Sequence, residues 1–186
     1  MEVIPTLLPE VLVIEPEVYG DERGFFVETW HARKYAERGL QLDFVQDNHS
    51  RSAKGVLRGL HYQLREPQGK LVRVVRGRVF DVSVDIRRGS PTFGRWVGIE
   101  LSGENHRQMY IPPGFAHGFC VLSDSADFLY KCSTFYAPDD EYGILWSDPD
   151  IGIQWPGADF QMSVKDAGNS LLKDMTDRLP VYQGPS

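Results

Sequence analysis

Val79-Phe80-Asp81-Val82-Ser83-Val84-Asp85-Ile86 alternates strictly, with Phe80, Val82, Val84 and Ile86 on one side and Asp81, Ser83 and Asp85 on the other. A period of two is the mark of a β-strand. Outward from this stretch the same kind of short run recurs, at residues 71–75 before it and at 96–101, 108–111, 118–122 and 128–135 after it. Turn signals at Arg88-Gly89-Ser90-Pro91, Ser102-Gly103-Glu104-Asn105 and Ser123-Asp124-Ser125 separate the runs. Many short strands with regular turns predict a mainly β fold, a sandwich or barrel. Residues 1–20 hold apolar pieces broken by Pro5, Pro9 and Pro16, which suit sheet edges or an arm. Asp21-Glu22-Arg23-Gly24 reads as a turn, and residues 25–30 as a strand with Phe26, Glu28 and Trp30 on one face. Residues 32–38 predict a helix stopped by Gly39, and residues 163–175 a short helical C-terminal cap.

The chain has 186 residues, 41% hydrophobic and 25% charged, which predicts one soluble domain over residues 1–186 with a cap over 163–186. Cys120 and Cys132 each fall in an apolar run and read as buried thiols, which fits a reducing, cytoplasmic setting. The start Met1-Glu2-Val3-Ile4-Pro5 lacks the basic and apolar pattern of a secretion signal, and no apolar run approaches the roughly 20 residues of a membrane span. Net charge is −6, yet residues 51–78 carry eight Lys or Arg against the single acid Glu66, which leaves −13 on the remainder. Such a balance argues against nucleic acid as a partner and leaves two readings, a small polyanionic ligand or solvated strand edges.

Arg58-Gly59-Leu60-His61-Tyr62-Gln63, then Lys70, place a guanidinium, an imidazole and an amine close together, and His117 follows in Pro113-Gly114-Phe115-Ala116-His117. The spacing Gly55-x5-His61-x-Gln63…Lys70-x6-Gly77 resembles the first cupin motif, and Pro112-x-Gly114-x2-His117 the core of the second. That resemblance implies a double-stranded β-helix (jelly-roll) barrel with a few short peripheral helices. Metal-binding cupins have a second histidine where Gln63 stands and a glutamate where Lys70 stands. An ammonium repels a divalent cation, so no metal is expected. An inward Lys70 needs an anion instead. One candidate is an oxyanion formed beside the histidine. A neutral imidazole removes a proton from carbon only where that carbon is activated, as it is next to a ketone. The gap that remains is on the order of a dozen pK units, and a cation on the enolate narrows it. His61 with Lys70 is such a pair; the alternative is a satisfied core histidine and an edge lysine. Inversion of a centre needs an acid on the opposite face, for which Tyr130 in its apolar strand is the candidate, against core packing. Asp166 reads as a helix N-cap or first-turn acid, or as the carboxylate that orients a histidine. In a regular strand Arg58 faces away from His61 and Gln63, so Gly59 predicts a bulge if all serve one ligand.

Asp21-x-Arg23-Gly24-x-Phe26-x-Glu28, Gln46-x-Asn48, residues 55–63, Val79-Phe80-Asp81-Val82 through Asp85-Ile86-Arg87, Ser90-Pro91-Thr92-Phe93-Gly94, residues 113–119 and Trp146-x-Asp148-Pro149 together resemble the dTDP-4-dehydrorhamnose 3,5-epimerase family. The resemblance implies a cofactor-free epimerase that inverts C3 and C5 of dTDP-4-dehydro-6-deoxy-D-glucose on the way to dTDP-L-rhamnose. It implies His61 as base, Asp166 as its carboxylate, Tyr130 as acid and Lys70 beside the ketone oxygen. It assigns Arg58, Gln63, His117, Gln46 and Asn48 to the substrate, Glu141 and Lys165 to the nucleotide end, and Tyr136 to stacking on the base. Arg23, Phe26 and Glu28 are implied to reach the site of a second subunit in a homodimer that exchanges residues 1–30. The rival readings are an epimerase of C3 or C5 alone, a 3,4-ketoisomerase, a non-catalytic sugar-nucleotide-binding cupin and a metal cupin oxygenase.

Overall fold

The computed structural model describes residues 1–41 and 43–184. The chain opens with β1 (Glu2–Pro5), β2 (Leu12–Glu15), β3 (Val18–Asp21), β4 (Gly24–Val27) and the short helix α1 (Ala32–Ala36). The long strands follow: β5 (Gln46–Ala53), β6 (Leu57–Gln63), β7 (Lys70–Arg76), β8 (Arg78–Asp85), β9 (Trp96–Ser102), β10 (Gln108–Ile111), β11 (Phe115–Val121) and β12 (Ser125–Cys132). β13 (Glu141–Gly143) and the one-turn helix α2 (Val164–Ala167) complete the set. Two antiparallel sheets, β1-β2-β10-β7-β12-β5 and β13-β6-β11-β8-β9, face one another as a cupin-like jelly roll. The mainly β barrel expected from the sequence is borne out.

The core between the sheets is built from Val72 and Val74 of β7, Val79 of β8, Met109 and Ile111 of β10, Phe119 of β11 and Phe128 of β12. The alternation of β8 is oriented in an instructive way. Its apolar side, Val82, Val84 and Ile86, faces away from the barrel and packs beneath the C-terminal segment against Leu172, Met175 and Leu179. Its polar side, Asp81 and Ser83, shares the inter-sheet face with Val79 and is fully buried. A third cluster sets α1 against the outside of the larger sheet, where the Tyr35 hydroxyl donates to the Thr29 carbonyl and to Gln108 Oε1 at 3.1 and 3.2 Å.

Some sequence expectations need correction. The strand expected over 25–30 ends at Val27, so Phe26, Glu28 and Trp30 do not share one strand face. α1 stops at Ala36, and Gly39 closes the turn with φ +85°. The expected C-terminal helix is interrupted: α2 ends at Gly168, and a 3-10 segment, Leu172–Arg178, follows. β5 was not expected, because its inward side chains are amides and hydroxyls rather than hydrocarbon. β3 and β4 pair with each other and, among the described residues, with no other strand, leaving Phe25 and Phe26 63% and 66% exposed.

Candidate active site

The site is organised by an irregularity in β6. His117 of β11 lies opposite His61, but Phe119 lies opposite Arg58, so the register slips between them. The slip falls at Gly59, whose φ of +124° is open to glycine alone without strain. A Cβ there would sit 2.6 Å from Gly118 Cα and 2.8 Å from the His117 carbonyl oxygen. The extra residue turns Arg58 to the side of His61, and both line one cavity of about 670 Å³. Phe119 stacked on Phe128, ring centres 4.2 Å apart, forms an apolar wall of it.

His61 Nε2 lies 2.6 Å from Asp166 Oδ1, which leaves Nδ1 as the second ring nitrogen. Asp166 occupies the first turn of α2, and Ser163 caps that turn by accepting from the Asp166 backbone N–H at 3.0 Å. Burial alone raises the Asp166 carboxyl, but the bond from His61 and the Gly59 backbone N–H outweigh it and hold the carboxyl below its usual value. The first-turn reading and the histidine-orienting reading of Asp166 are therefore compatible.

Lys70, the first residue of β7, lines the same cavity. Burial pushes its ammonium down from the usual lysine value, partly offset by Cys132, Glu141 and Asp81. No hydrogen bond or ion pair satisfies it among the described residues. The Tyr130 phenol, on β12, also faces the cavity, and burial raises it. His117 Nε2 lies 3.0 Å from each carboxylate oxygen of Asp81, which is fully enclosed. Gln46 donates to Asn48 Oδ1 at 3.0 Å and accepts from the Tyr136 backbone N–H at 2.8 Å. Near Tyr136, Glu141 Oε2 accepts from the Tyr136 hydroxyl at 3.3 Å and pairs with Lys165.

The cavity thus brings together His61, Lys70, Tyr130, Asp166, Gln46, Asn48, Arg58, His117, Tyr136, Glu141 and Lys165. Four named candidates lie elsewhere. Gln63 is buried, and its amide is spent on the Glu66 and Phe135 carbonyls and the Ala137 backbone N–H, so it braces loops rather than facing a ligand. Arg23 pairs with Asp21, Glu28 pairs with Lys34, and Phe26 is exposed on the hairpin. The sequence reading missed Asp81, Ser50 and Gln68. Asp81 was visible as one polar position of an alternating strand and inside the resembling stretch Val79-Phe80-Asp81-Val82, with no role assigned to it, while its partner on β11 is set by sheet register. Cys132, read as a buried thiol, is buried and also borders the cavity, as Cys120 does not. The basic segment divides: Arg58 and Lys70 face the cavity, while Arg51 and Arg65 pair with Asp127 and Asp140. Among the described residues no group of three or more His, Cys, Asp or Glu converges to hold a metal ion.

A histidine oriented by a carboxylate, a cation without a partner and a phenol, around one cavity, can remove a proton from carbon, stabilise the resulting oxyanion and return a proton. Comparison with known proteins gives the same direction. The family model described as dTDP-4-dehydrorhamnose 3,5-epimerase matches residues 5–174. A dTDP-4-dehydrorhamnose 3,5-epimerase of Shigella flexneri is 59% identical over 177 residues, covering 94% of this chain and 97% of that protein. One of Pseudomonas aeruginosa is 58% identical over 169 residues, covering 90% and 93%. A crystal structure of a dTDP-6-deoxy-D-glucose-3,5-epimerase from Legionella pneumophila, in complex with dTDP-4-keto-L-rhamnose, superposes with a TM-score of 0.96 at 57% identity, covering 98% of this chain and 99% of that one.

Proposed function

This chain belongs to the dTDP-4-dehydrorhamnose 3,5-epimerase family, and from that premise we propose how its side chains carry the reaction. The enzyme is an isomerase that inverts C3 and C5 of dTDP-4-dehydro-6-deoxy-D-glucose to give dTDP-4-dehydro-L-rhamnose, in dTDP-L-rhamnose biosynthesis. In our reading His61 Nδ1 takes the proton next to the C4 ketone, and Asp166 holds the ring in the required tautomer. Lys70 stands where negative charge develops on the ketone oxygen. Tyr130 returns a proton to the opposite face. Arg58, His117, Gln46 and Asn48 hold the sugar and phosphates, and Tyr136, Glu141 and Lys165 the nucleoside end. The carbonyl of the substrate supplies the activation, so this reading calls for no cofactor. The observation that carries it is the 2.6 Å His61–Asp166 bond in a cavity shared with the unpartnered Lys70.

The exposed β3–β4 hairpin supports a homodimer with an exchanged N-terminal segment, in which Arg23, Phe26 and Glu28 serve the neighbouring cavity. Free buried cysteines support a cytoplasmic setting.

The test is NMR of the 4-keto substrate in deuterated water. Deuterium at C3 and C5 with inversion at both is expected. Exchange and inversion at C3 alone would overturn the two-centre assignment, and binding without exchange would make the protein a sugar-nucleotide binder.

A further inference from the structure

Arg58 is fastened differently from Arg51, Arg65 and Arg87. Arg51 gives Nε and Nη2 to Asp127, and Arg87 gives the same two nitrogens to Asp85. Arg65 gives Nε to Asp140 and Nη2 to the Asp139 carbonyl. In all three the fork of the guanidinium is committed inside the protein. Arg58 is held by Nε alone, which donates to Ser52 Oγ at 3.0 Å. Among the described residues this is the only hydrogen bond of its side chain, and no carboxylate pairs with it. Ser52 lies near the end of β5 in the larger sheet and Arg58 near the start of β6 in the smaller one. A tight turn between them, with Gly55 at φ +76°, sets the two side chains within reach. Gln46, Asn48 and Ser50, on the same side of β5 as Ser52, line the cavity. Ser52 continues that series, is 6% exposed, and reaches the cavity only through Arg58.

We propose that Ser52 is a positioning residue for substrate binding: its hydroxyl anchors Arg58 by Nε and so presents both Nη groups, with their charge intact, to the diphosphate of the substrate. A guanidinium on a long side chain has considerable rotamer freedom, and an anchor at Nε removes much of it before the ligand arrives. The two Nη groups are then aligned for parallel bonds to phosphate oxygens. A neutral anchor matters as much as its place. A carboxylate at this position would take the fork for itself and offset the charge that attracts the diphosphate, as Asp127 does for Arg51. A hydroxyl holds one nitrogen and leaves the rest to the ligand.

The inference rests on Arg58 holding the diphosphate, so the test separates the two. Calorimetric binding of dTDP and steady-state turnover of the 4-keto substrate are measured for the wild type, Ser52→Ala, Ser52→Thr, Arg58→Ala and the double variant Ser52→Ala/Arg58→Ala, beside thermal unfolding of each. Arg58→Ala is expected to weaken dTDP about tenfold or more. Ser52→Ala is expected to weaken dTDP and raise KM by about two- to tenfold with kcat unchanged, because the lost order affects ground state and transition state alike. Ser52→Thr, which keeps the hydroxyl, should stay near wild type. With Arg58 already removed, Ser52→Ala should change nothing further. Wild-type dTDP affinity in folded Ser52→Ala, beside a weakened Arg58→Ala, overturns the proposal and leaves the role of Arg58 standing. A further loss in the double variant overturns it as well, since Ser52 would then act by another route. Wild-type affinity in Arg58→Ala would remove Arg58 from the diphosphate, and the proposal with it. The ligand-free wild type gives a reading that needs no Ser52 variant. Its Arg58 Nε–H, identified in nitrogen-15 NMR by its loss in Arg58→Lys, is expected to exchange with water more slowly than that of the exposed Arg33. Equal rates would overturn the proposal whether or not Ser52→Ala folds.

Discussion

In the proposed mechanism His61 and Lys70 divide one task between them, and their substitutions are expected to fail differently. His61→Ala removes the acceptor of the proton, so deuterium wash-in at C3 and C5 should vanish, with substrate still bound. Lys70→Ala leaves the base in place and removes the cation, so exchange should persist but slow by about 10²–10³, on the order of 3–4 kcal/mol. Tyr130→Phe should damage completed inversion more than wash-in of the first deuterium; equal damage to both would count against an acid role. At this scale the sequence was informative where chemistry makes a residue improbable. A lysine where a barrel of this kind has a carboxylate, and a phenol in an apolar strand, both ask for an anion or a proton to act on. It was uninformative where position is set by register. Gln63 shares a strand face with His61 by periodicity, yet the loops carrying Glu66 and Phe135 close over its amide. Asp81 meets His117 only because β8 and β11 are neighbours.

At the scale of elements, the bulge in β6 and the edge strand β5 matter most. Gly59→Ala would force a side chain into Gly118 and into a positive-φ conformation. The variant should lose stability by about 1–3 kcal/mol and, in what remains folded, lose activity because Arg58 and His61 no longer share a side; unfolding melts with exchange assays check both. Glycine made this irregularity legible before any coordinates. β5 was not legible, since a strand of amides and hydroxyls has no hydrophobic period to read. It is clamped to β12 by Arg51 and His49 on Asp127, whose carboxyl is held down to about 2. A carboxyl depressed in the fold contributes stability above the unfolded value of about 3.9 and loses it as pH falls toward about 2. Amide exchange of residues 46–53 should therefore quicken selectively over that window, and Asp127→Asn should show the quickening already at neutral pH.

At the scale of the whole molecule, the proposed exchange of the N-terminal hairpin makes a sharp prediction about mixtures. Arg23→Ala and His61→Ala should each be poorly active alone. Refolded together they should recover about a quarter of wild-type activity, because half the dimers are mixed and one of their two cavities is intact. No recovery, with mixed dimers demonstrated, would place Arg23 outside the partner's site. The barrel as such could be anticipated from period-two runs and turns, but the side of β8 that faces inward could not. Alternation tells that two faces differ and is silent about which one meets the other sheet. That orientation has a bearing on biogenesis. Val82, Val84 and Ile86 are sheltered by residues from the last part of the chain, and the same part delivers Asp166 to His61. A ribosome releases those residues after every strand of the barrel has emerged. A nascent chain stalled before them would leave that apolar side bare and His61 without its carboxylate, so residues 166–179 act as a completion seal, closing the fold and completing the proposed base in one event.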